Sequence, residues 1–146
     1  MSGQQIHATA VAIDGGGVLL LGGPGSGKSD LALRLIDRGA VLVADDRVDL
    51  SVHGSRLVAA PPEAIAGRIE MRGVGILERP HCASIPLLLG VHLGQSAERL
   101  PSARSSEWLG ISLPMLFLPA FEASAPLKVE EGLRRAASGR LWAHDG

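Results

Sequence analysis

The sequence contains a single cysteine, Cys82, and this scarcity excludes two kinds of site. One cysteine cannot form an intrachain disulfide, and zinc sites built on cysteine use several such ligands. Disulfide-rich chains are typical of oxidising compartments. We therefore expect a protein of a reducing, cytoplasmic compartment without a cysteine-based zinc site.

The sequence also lacks a basic excess, long apolar runs and internal repeats. Its 146 residues carry a formal net charge of −1, whereas proteins that bind nucleic acids are usually strongly basic. No apolar run approaches the ~18 residues of a membrane-spanning helix, and the first residues lack the basic segment of a signal peptide. We therefore expect no nucleic-acid or membrane partner, and a single globular domain over residues 1–146.

The strongest positive signal is a glycine-rich segment that fits a phosphate-binding loop. Residues 22–29 read GGPGSGKS and match the pattern G-x-x-x-x-G-K-[ST]. The glycines let backbone N–H groups turn inward around phosphates, Lys28 can reach the β- and γ-phosphates, and the Ser29 hydroxyl can ligate Mg²⁺. The residues expected to bind the nucleotide are Gly22, Gly23, Pro24, Gly25, Ser26, Gly27, Lys28 and Ser29.

The flanking residues supply the setting that this motif requires. Val18–Leu21 is apolar and predicts a buried strand, and the apolar spacing over Asp30–Arg38 predicts a helix that ends at Gly39. A phosphate-binding loop leads from a strand into the N-terminus of a helix. Nucleotide binding is therefore expected, whichever reaction follows it.

Two adjacent acids, Asp45 and Asp46, follow the apolar segment Ala40–Ala44, which predicts the next strand. The carboxyl ends of strands are where ligands bind in open α/β sheets. One carboxylate can hold Mg²⁺, directly or through water, while the other accepts a proton from an attacking hydroxyl. The alternative is a solvated turn with a helix-capping aspartate.

Three further charged side chains carry weaker signals. Glu70 and Arg72 alternate with apolar residues in Ile69–Ile76, and they would share one face if this stretch is extended. Such a pair can bind metal and stabilise a transferring phosphoryl group, or it can be an ordinary surface ion pair. Arg99 stands in a polar loop and is either a catalytic arginine or a common loop charge.

Hydrophobic patterning predicts the remaining framework. Ile6–Ile13 is expected to be one strand that forms an antiparallel hairpin with Val18–Leu21 through the turn Asp14–Gly17. Other expected elements are a hairpin of Val48–Val52 with Arg56–Ala60, a helical turn over Glu63–Gly67, a core strand over Ile85–Leu93, an apolar segment over Trp108–Leu118 and a final helix capped by Ser124.

The combination of His7, the loop GGPGSGKSD, the segment VADDRVDL and the segment IEMRGVGI resembles the HPr kinase/phosphorylase family over Ile6–Ile76. The resemblance implies an α/β fold, namely a P-loop nucleotide-binding domain of the HPr kinase / PEP carboxykinase-like type with a mixed sheet and flanking helices. It corresponds to a short form with the catalytic domain only. It further implies a homo-oligomeric kinase that uses ATP and Mg²⁺ to phosphorylate a serine of the phosphocarrier HPr and reverses the reaction by phosphorolysis.

The resemblance also implies roles for the residues that grip phosphate and metal. Lys28 matches the family's phosphate-binding lysine, and Ser29 and Glu70 match its Mg²⁺ ligands. Arg72 falls in the family's signature stretch. These four side chains would hold the nucleotide and balance its charge.

Four other side chains match the family's acid–base and catalytic positions. His7 resembles its active-site histidine, and one of Asp45 and Asp46, preferably Asp46, resembles its proton acceptor. Arg99, in AERLP, resembles a catalytic arginine.

The sequence departs from the family pattern at two places. The motif P-V-R-P-G-R-N, which is linked to dephosphorylation, is replaced by LPAFEAS at Leu118–Ser124, and the glycine-rich segment after the signature is shortened to LERPHCAS. These departures leave two alternatives, a nucleotide-sensing regulatory module without kinase activity and a kinase with a different acceptor.

Overall fold

A computed structural model describes residues 3–94 and 99–142 of the chain. Residues 95–98 of the expected polar loop lie outside the described residues. The elements are β1 (Gly3–His7), β2 (Thr9–Ile13), β3 (Gly16–Leu21), α1 (Lys28–Asp37), β4 (Val41–Ala44), β5 (Arg47–His53), β6 (Arg56–Ala60), a 3₁₀ turn (Glu63–Ile65), β7 (Arg68–Met71), β8 (Gly75–Glu78), β9 (Ile85–Leu93), β10 (Ser105–Trp108), β11 (Ile111–Leu118) and α2 (Ala125–Ala137).

Strand β9 is the centre of a mixed sheet. It runs parallel to β3 along one edge, where Leu20 faces Val91. Along its other edge it pairs antiparallel with β6 through its first residues and parallel with β11 through its last four. The order is β1-β5-β6-β9-β3-β2-β4, with β11 and β10 branching from β9, so the mixed sheet expected from the sequence is confirmed.

The two faces of β3 are buried in different cores because successive side chains of a strand point to opposite sides. Leu20 belongs to the cluster that receives Leu35 of α1 and Leu133 of α2. Leu19 belongs to a second cluster, which includes Leu57 from the β5–β6 hairpin. Both helices therefore cover one face of the central strands, and the curled β1-β5-β6 branch covers the other.

The expected single strand over Ile6–Ile13 is wrong, because the chain changes partners within it. Residues before Ala8 pair with β5, and residues after it pair with β3 and β4. The N–H of Ala8 donates to the carbonyl of Asp46 (3.1 Å), which joins the two branches of the sheet at this break. The β2–β3 hairpin is confirmed, with Asp14 at φ 50° and Gly15 at φ 82° in its turn.

The stretch Ile69–Ile76 is not extended throughout, so the condition under which Glu70 and Arg72 would share one strand face is not met. Its two ends form the β7–β8 hairpin, in which Met71 pairs with Gly75. The chain reverses between them because Gly73 adopts φ 88° and the N–H of Val74 donates to the carbonyl of Met71 (3.0 Å). Arg72 therefore belongs to a turn, and the alternation that would have put Glu70 and Arg72 on one strand face does not occur.

Helix α2 begins and packs as its pattern indicates, although its cap differs. Val129 and Leu133 are buried as expected, but the Ser124 hydroxyl makes no capping hydrogen bond. Across the helix pair, Arg38 of α1 binds Glu130 of α2 (2.9 Å). The hydrogen bonds and negative charge of Glu130 raise the pKa of Arg38.

Replacing Gly132 by Ala tests how closely α2 approaches the sheet. A Cβ there would lie 2.6 Å from Cδ1 of Leu116 and 3.3 Å from Cδ2 of Leu89. Overpacking costs about 1–3 kcal/mol, which exceeds the ~1 kcal/mol that alanine gains in a helix. Urea denaturation should therefore show a net loss of stability. The exposed substitution Arg134→Ala is the control, with a change within about 0.5 kcal/mol; a stabilised Gly132→Ala variant would contradict this packing.

Candidate active site

The glycine-rich loop connects β3 to α1 at the carboxyl ends of the parallel strands β3 and β9. Gly22, Gly25 and Gly27 have φ values of 151°, 77° and 97°, which side-chain-bearing residues rarely adopt. The N–H of Leu31 donates to the carbonyl of Gly27 (2.9 Å) as α1 begins. The first N–H groups of a helix lack partners within the helix and attract anions. The loop and the start of the helix thus have a backbone geometry that suits the binding of a phosphate group.

The Lys28 ammonium group lies across this loop. Its Nζ donates to the carbonyl oxygens of Gly22 (2.8 Å) and Gly23 (3.2 Å). These bonds hold a positive charge inside the curve of the loop. The position suits a phosphate group, because an ammonium group attracts phosphate as a compact charge.

Asp45 is the buried anchor of the site, with only 7% of its surface exposed. Its Oδ1 accepts hydrogen bonds from the hydroxyls of Ser29 (2.6 Å) and Thr9 (2.9 Å). Its Oδ2 accepts the backbone N–H of Glu70 (3.0 Å). This one carboxylate thus joins the end of β4 to β2, α1 and β7. Three donors compensate its desolvation, as a buried charge requires.

Asp46 is exposed, although it follows Asp45 directly. Its backbone has φ 68°, in the left-handed region, which turns the chain sharply after the buried acid. Its side chain faces the same cavity as the glycine-rich loop. The two acids therefore have separate environments, one fixed by hydrogen bonds and one open to a substrate.

The cavity beside the loop has a volume of about 280 Å³ and gathers most of the charged candidates. Among the sequence candidates that line it, the basic residues are Lys28 and Arg72 and the acidic residues are Asp46 and Glu70. The Ser29 hydroxyl and these carboxylates are hard oxygen donors, the type that Mg²⁺ prefers. The other lining residues are Pro24, Gly25, Ser26, Gly27, Asp30, Leu33, Met71 and Phe121.

Five sequence candidates do not line this cavity. Gly22, Gly23 and Asp45 contact Lys28 or Ser29, which do line it, whereas His7 and Arg99 have other surroundings. His7 is exposed at the end of β1, opposite Arg47 in the register, and the next residue along the chain binds the carbonyl of Asp46. Arg99 lines a larger groove of about 680 Å³ with Lys128 and Arg135 of α2. The larger groove lacks a phosphate-binding loop, so the lining residues favour the smaller cavity as the candidate active site.

Three residues that the sequence analysis did not consider contribute to the site. Thr9 supplies a buried hydroxyl to Asp45, Phe121 lines the cavity, and Arg34 binds the backbone on either side of Phe121. A threonine within an apolar strand is a weak indication, visible in the sequence, that its hydroxyl has a buried hydrogen-bond partner. The roles of Arg34 and Phe121 depend on a contact between distant parts of the chain.

A family model described as the HPr Serine kinase C-terminal domain matches residues 1–82. The chain belongs to this family. A solved structure titled as the Hpr(Ser) kinase/phosphatase from Coxiella burnetii is 31% identical, with a TM-score of 0.82, and the match covers 93% of this chain and 97% of that one. Membership in the HPr kinase family agrees with the P-loop fold and its mixed sheet.

Curated relatives named HPr kinase/phosphorylase share part of the sequence. One from Caldicellulosiruptor bescii is 44% identical over 64% of this chain and 29% of its own length. One from Clostridium acetobutylicum is 35% identical over 85% of this chain and 43% of its own length. The chain therefore spans less than half the length of these two family members. Among the residues that the structure describes, no helix has the length and apolar character needed to cross a bilayer.

Replacing Thr9 by Val tests whether the hydroxyl supports Asp45. The valine keeps the shape but removes a hydrogen bond to a charged acceptor, which contributes about 1.5–3 kcal/mol. We expect a loss of this size in the free energy of unfolding measured with urea. Thr9→Ser keeps the hydroxyl and should lose less, whereas a Val variant as stable as the parent chain would exclude the proposed support.

Proposed function

We propose that the chain is a single P-loop kinase domain that transfers the γ-phosphoryl group of ATP to a serine of the phosphocarrier HPr. The observation that carries this proposal is the pairing of two acids at the loop. Asp45 is held by Ser29 of the loop, and Asp46 opens into the cavity that also contains Lys28. The names of the relatives support HPr as the acceptor.

Magnesium is assigned to the oxygen atoms around Ser29. In P-loop enzymes the loop Ser/Thr and an aspartate at a strand end hold the metal. Here the Ser29 hydroxyl donates to Oδ1 of Asp45 (2.6 Å), so these two side chains lie close enough together that both would help to hold the ion. Glu70, exposed beside the cavity, completes the proposed set of metal ligands.

Asp46 is the proposed proton acceptor for the serine hydroxyl. It is exposed in the cavity and makes no side-chain hydrogen bond among those found for the described residues, so an incoming hydroxyl can reach it. Lys28 and Arg72 supply positive charge for the phosphoryl oxygens. Since a loose phosphoryl transition state needs position and charge more than covalent chemistry, this set is adequate for transfer.

Two further assignments rest on the family resemblance. His7 is proposed to act at the site because it is close along the backbone to the carbonyl of Asp46. Arg99 is proposed as a catalytic arginine that must approach the loop from the neighbouring groove, which it lines here. We also propose a homo-oligomer and a cytoplasmic location, the latter in agreement with the single cysteine.

A second candidate is a nucleotide-responsive module without kinase activity. Two observations favour it, namely the position of Arg99 in a different groove and the absence of arginine from Leu118–Ser124. The same absence weakens the case for reverse phosphorolysis. The retained acids favour the kinase, because a module that only binds nucleotide has no use for an exposed proton acceptor.

Replacing Asp46 by Asn tests the proposed chemistry. Asparagine tolerates the left-handed backbone of this position, so the fold should be preserved. Loss of the base should lower the rate of phosphate transfer to HPr about 10²–10⁴-fold. Calorimetric affinity for MgATP should stay close to that of the parent chain, because the base contacts the acceptor rather than the nucleotide.

Lys28→Ala provides the contrasting variant. It removes the charge inside the loop, so nucleotide affinity and phosphate transfer should both fall. An Asp46→Asn enzyme with undiminished turnover would exclude Asp46 as the base. Equal loss of nucleotide affinity in both variants would instead mean that Asp46 serves binding.

A further inference from the structure

Phe121 is a large apolar side chain that remains exposed beside the phosphate-binding loop. Its surface is 69% exposed, and it lines the same cavity as Lys28 and Ser29. Its ring edge lies against the end of the loop, since a Cβ added to Gly27 would be 2.9 Å from its Cζ. The ring therefore borders the loop without being part of a hydrophobic core.

The backbone around Phe121 is fixed by Arg34 of α1. Its Nη1 donates to the carbonyl of Glu122 (3.1 Å), and its Nη2 donates to the carbonyl of Ala120. Asp30 orients the same guanidinium through an ion pair (2.9 Å). Hydrogen bonds from a charged donor are stronger than neutral ones. The backbone that carries the exposed ring is thus held by two hydrogen bonds, one on each side of Phe121.

Ser29 and Arg34 project from different sides of α1. Ser29, which contacts Asp45, and Arg34, which contacts the backbone of Phe121, are five positions apart and project roughly 140° apart around the helix. The proposed function places the terminal phosphates at Ser29 and Asp45, so the nucleoside would extend from there toward another part of the cavity wall. Phe121 is the aromatic side chain among the lining residues, and its ring lies against Gly27 of the loop.

We propose that Phe121 is a stacking platform for the nucleotide base and that Arg34 is its positioning residue. This inference rests on the proposed function, in which the loop binds a nucleotide. Every base has a π-face, so stacking on an aromatic ring selects for the presence of a base and not for its identity. Phe121 should therefore contribute equally to the binding of ATP and GTP.

The test compares nucleotides with a ligand that has phosphates and no base. Calorimetry of Phe121→Ala should show affinity for MgATP and MgGTP lowered by about 5- to 150-fold, the range found when stacking partners are truncated. Affinity for magnesium tripolyphosphate should be unchanged, because the loop and Lys28 are intact. Phe121→Tyr keeps an aromatic face and should retain nucleotide affinity.

Two more variants distinguish a loss of base stacking from a general loss of ligand affinity. Arg34→Ala should reduce MgATP affinity and spare tripolyphosphate, with Arg34→Lys recovering part of the loss. Leu127→Ala, at an exposed apolar residue of the other groove, should change neither affinity. The inference is overturned if Phe121→Ala binds MgATP as tightly as the parent chain, or if tripolyphosphate affinity falls equally. A parent chain that binds no nucleotide would refute the proposed function itself.

Discussion

The carboxylate of Asp45 is the contact on which the arrangement of the site depends. Among the residues that the structure describes, the buried polar side chains are those of Asp45 and Thr9. The three hydrogen-bond donors to Asp45 come from three other elements. An unpaired buried carboxylate would cost several kcal/mol, so the donors must stay in place for the fold to be stable. Fold stability and the position of the Ser29 hydroxyl are therefore coupled through one side chain.

The contrast between Asp45 and Asp46 shows how adjacent residues acquire different chemistry. Asp45 is buried directly after β4, while Asp46, whose backbone is left-handed, is exposed and lines the cavity. The carbonyl of Asp46 is also bound by the N–H of Ala8, at the break between β1 and β2. The junction of the two sheet branches thus supports the backbone that presents the exposed acid.

The sequence predicted the features that depend on local patterns. The loop motif, its strand and helix, and the β5–β6 hairpin are encoded in short runs of residues, and the structure confirms them. The split of Ile6–Ile13 could not be predicted, because β5 and β3 compete for that segment from distant positions. Thr9 reaches Asp45 across 36 positions, and Arg34 reaches Ala120 across 86, so no local pattern records these contacts. The alternation around Glu70 and Arg72 predicts a shared face only for an extended stretch, and it does not exclude the turn at Gly73.

The most direct test of the account is intact-mass spectrometry of HPr from the same organism after incubation with this chain and MgATP. The account predicts one added phosphate, mapped to a serine, that is absent when ATP is omitted. HPr of unchanged mass, under conditions where calorimetry shows that the chain binds MgATP, would contradict it. That result would assign the loop and its two acids to nucleotide sensing or to a different acceptor.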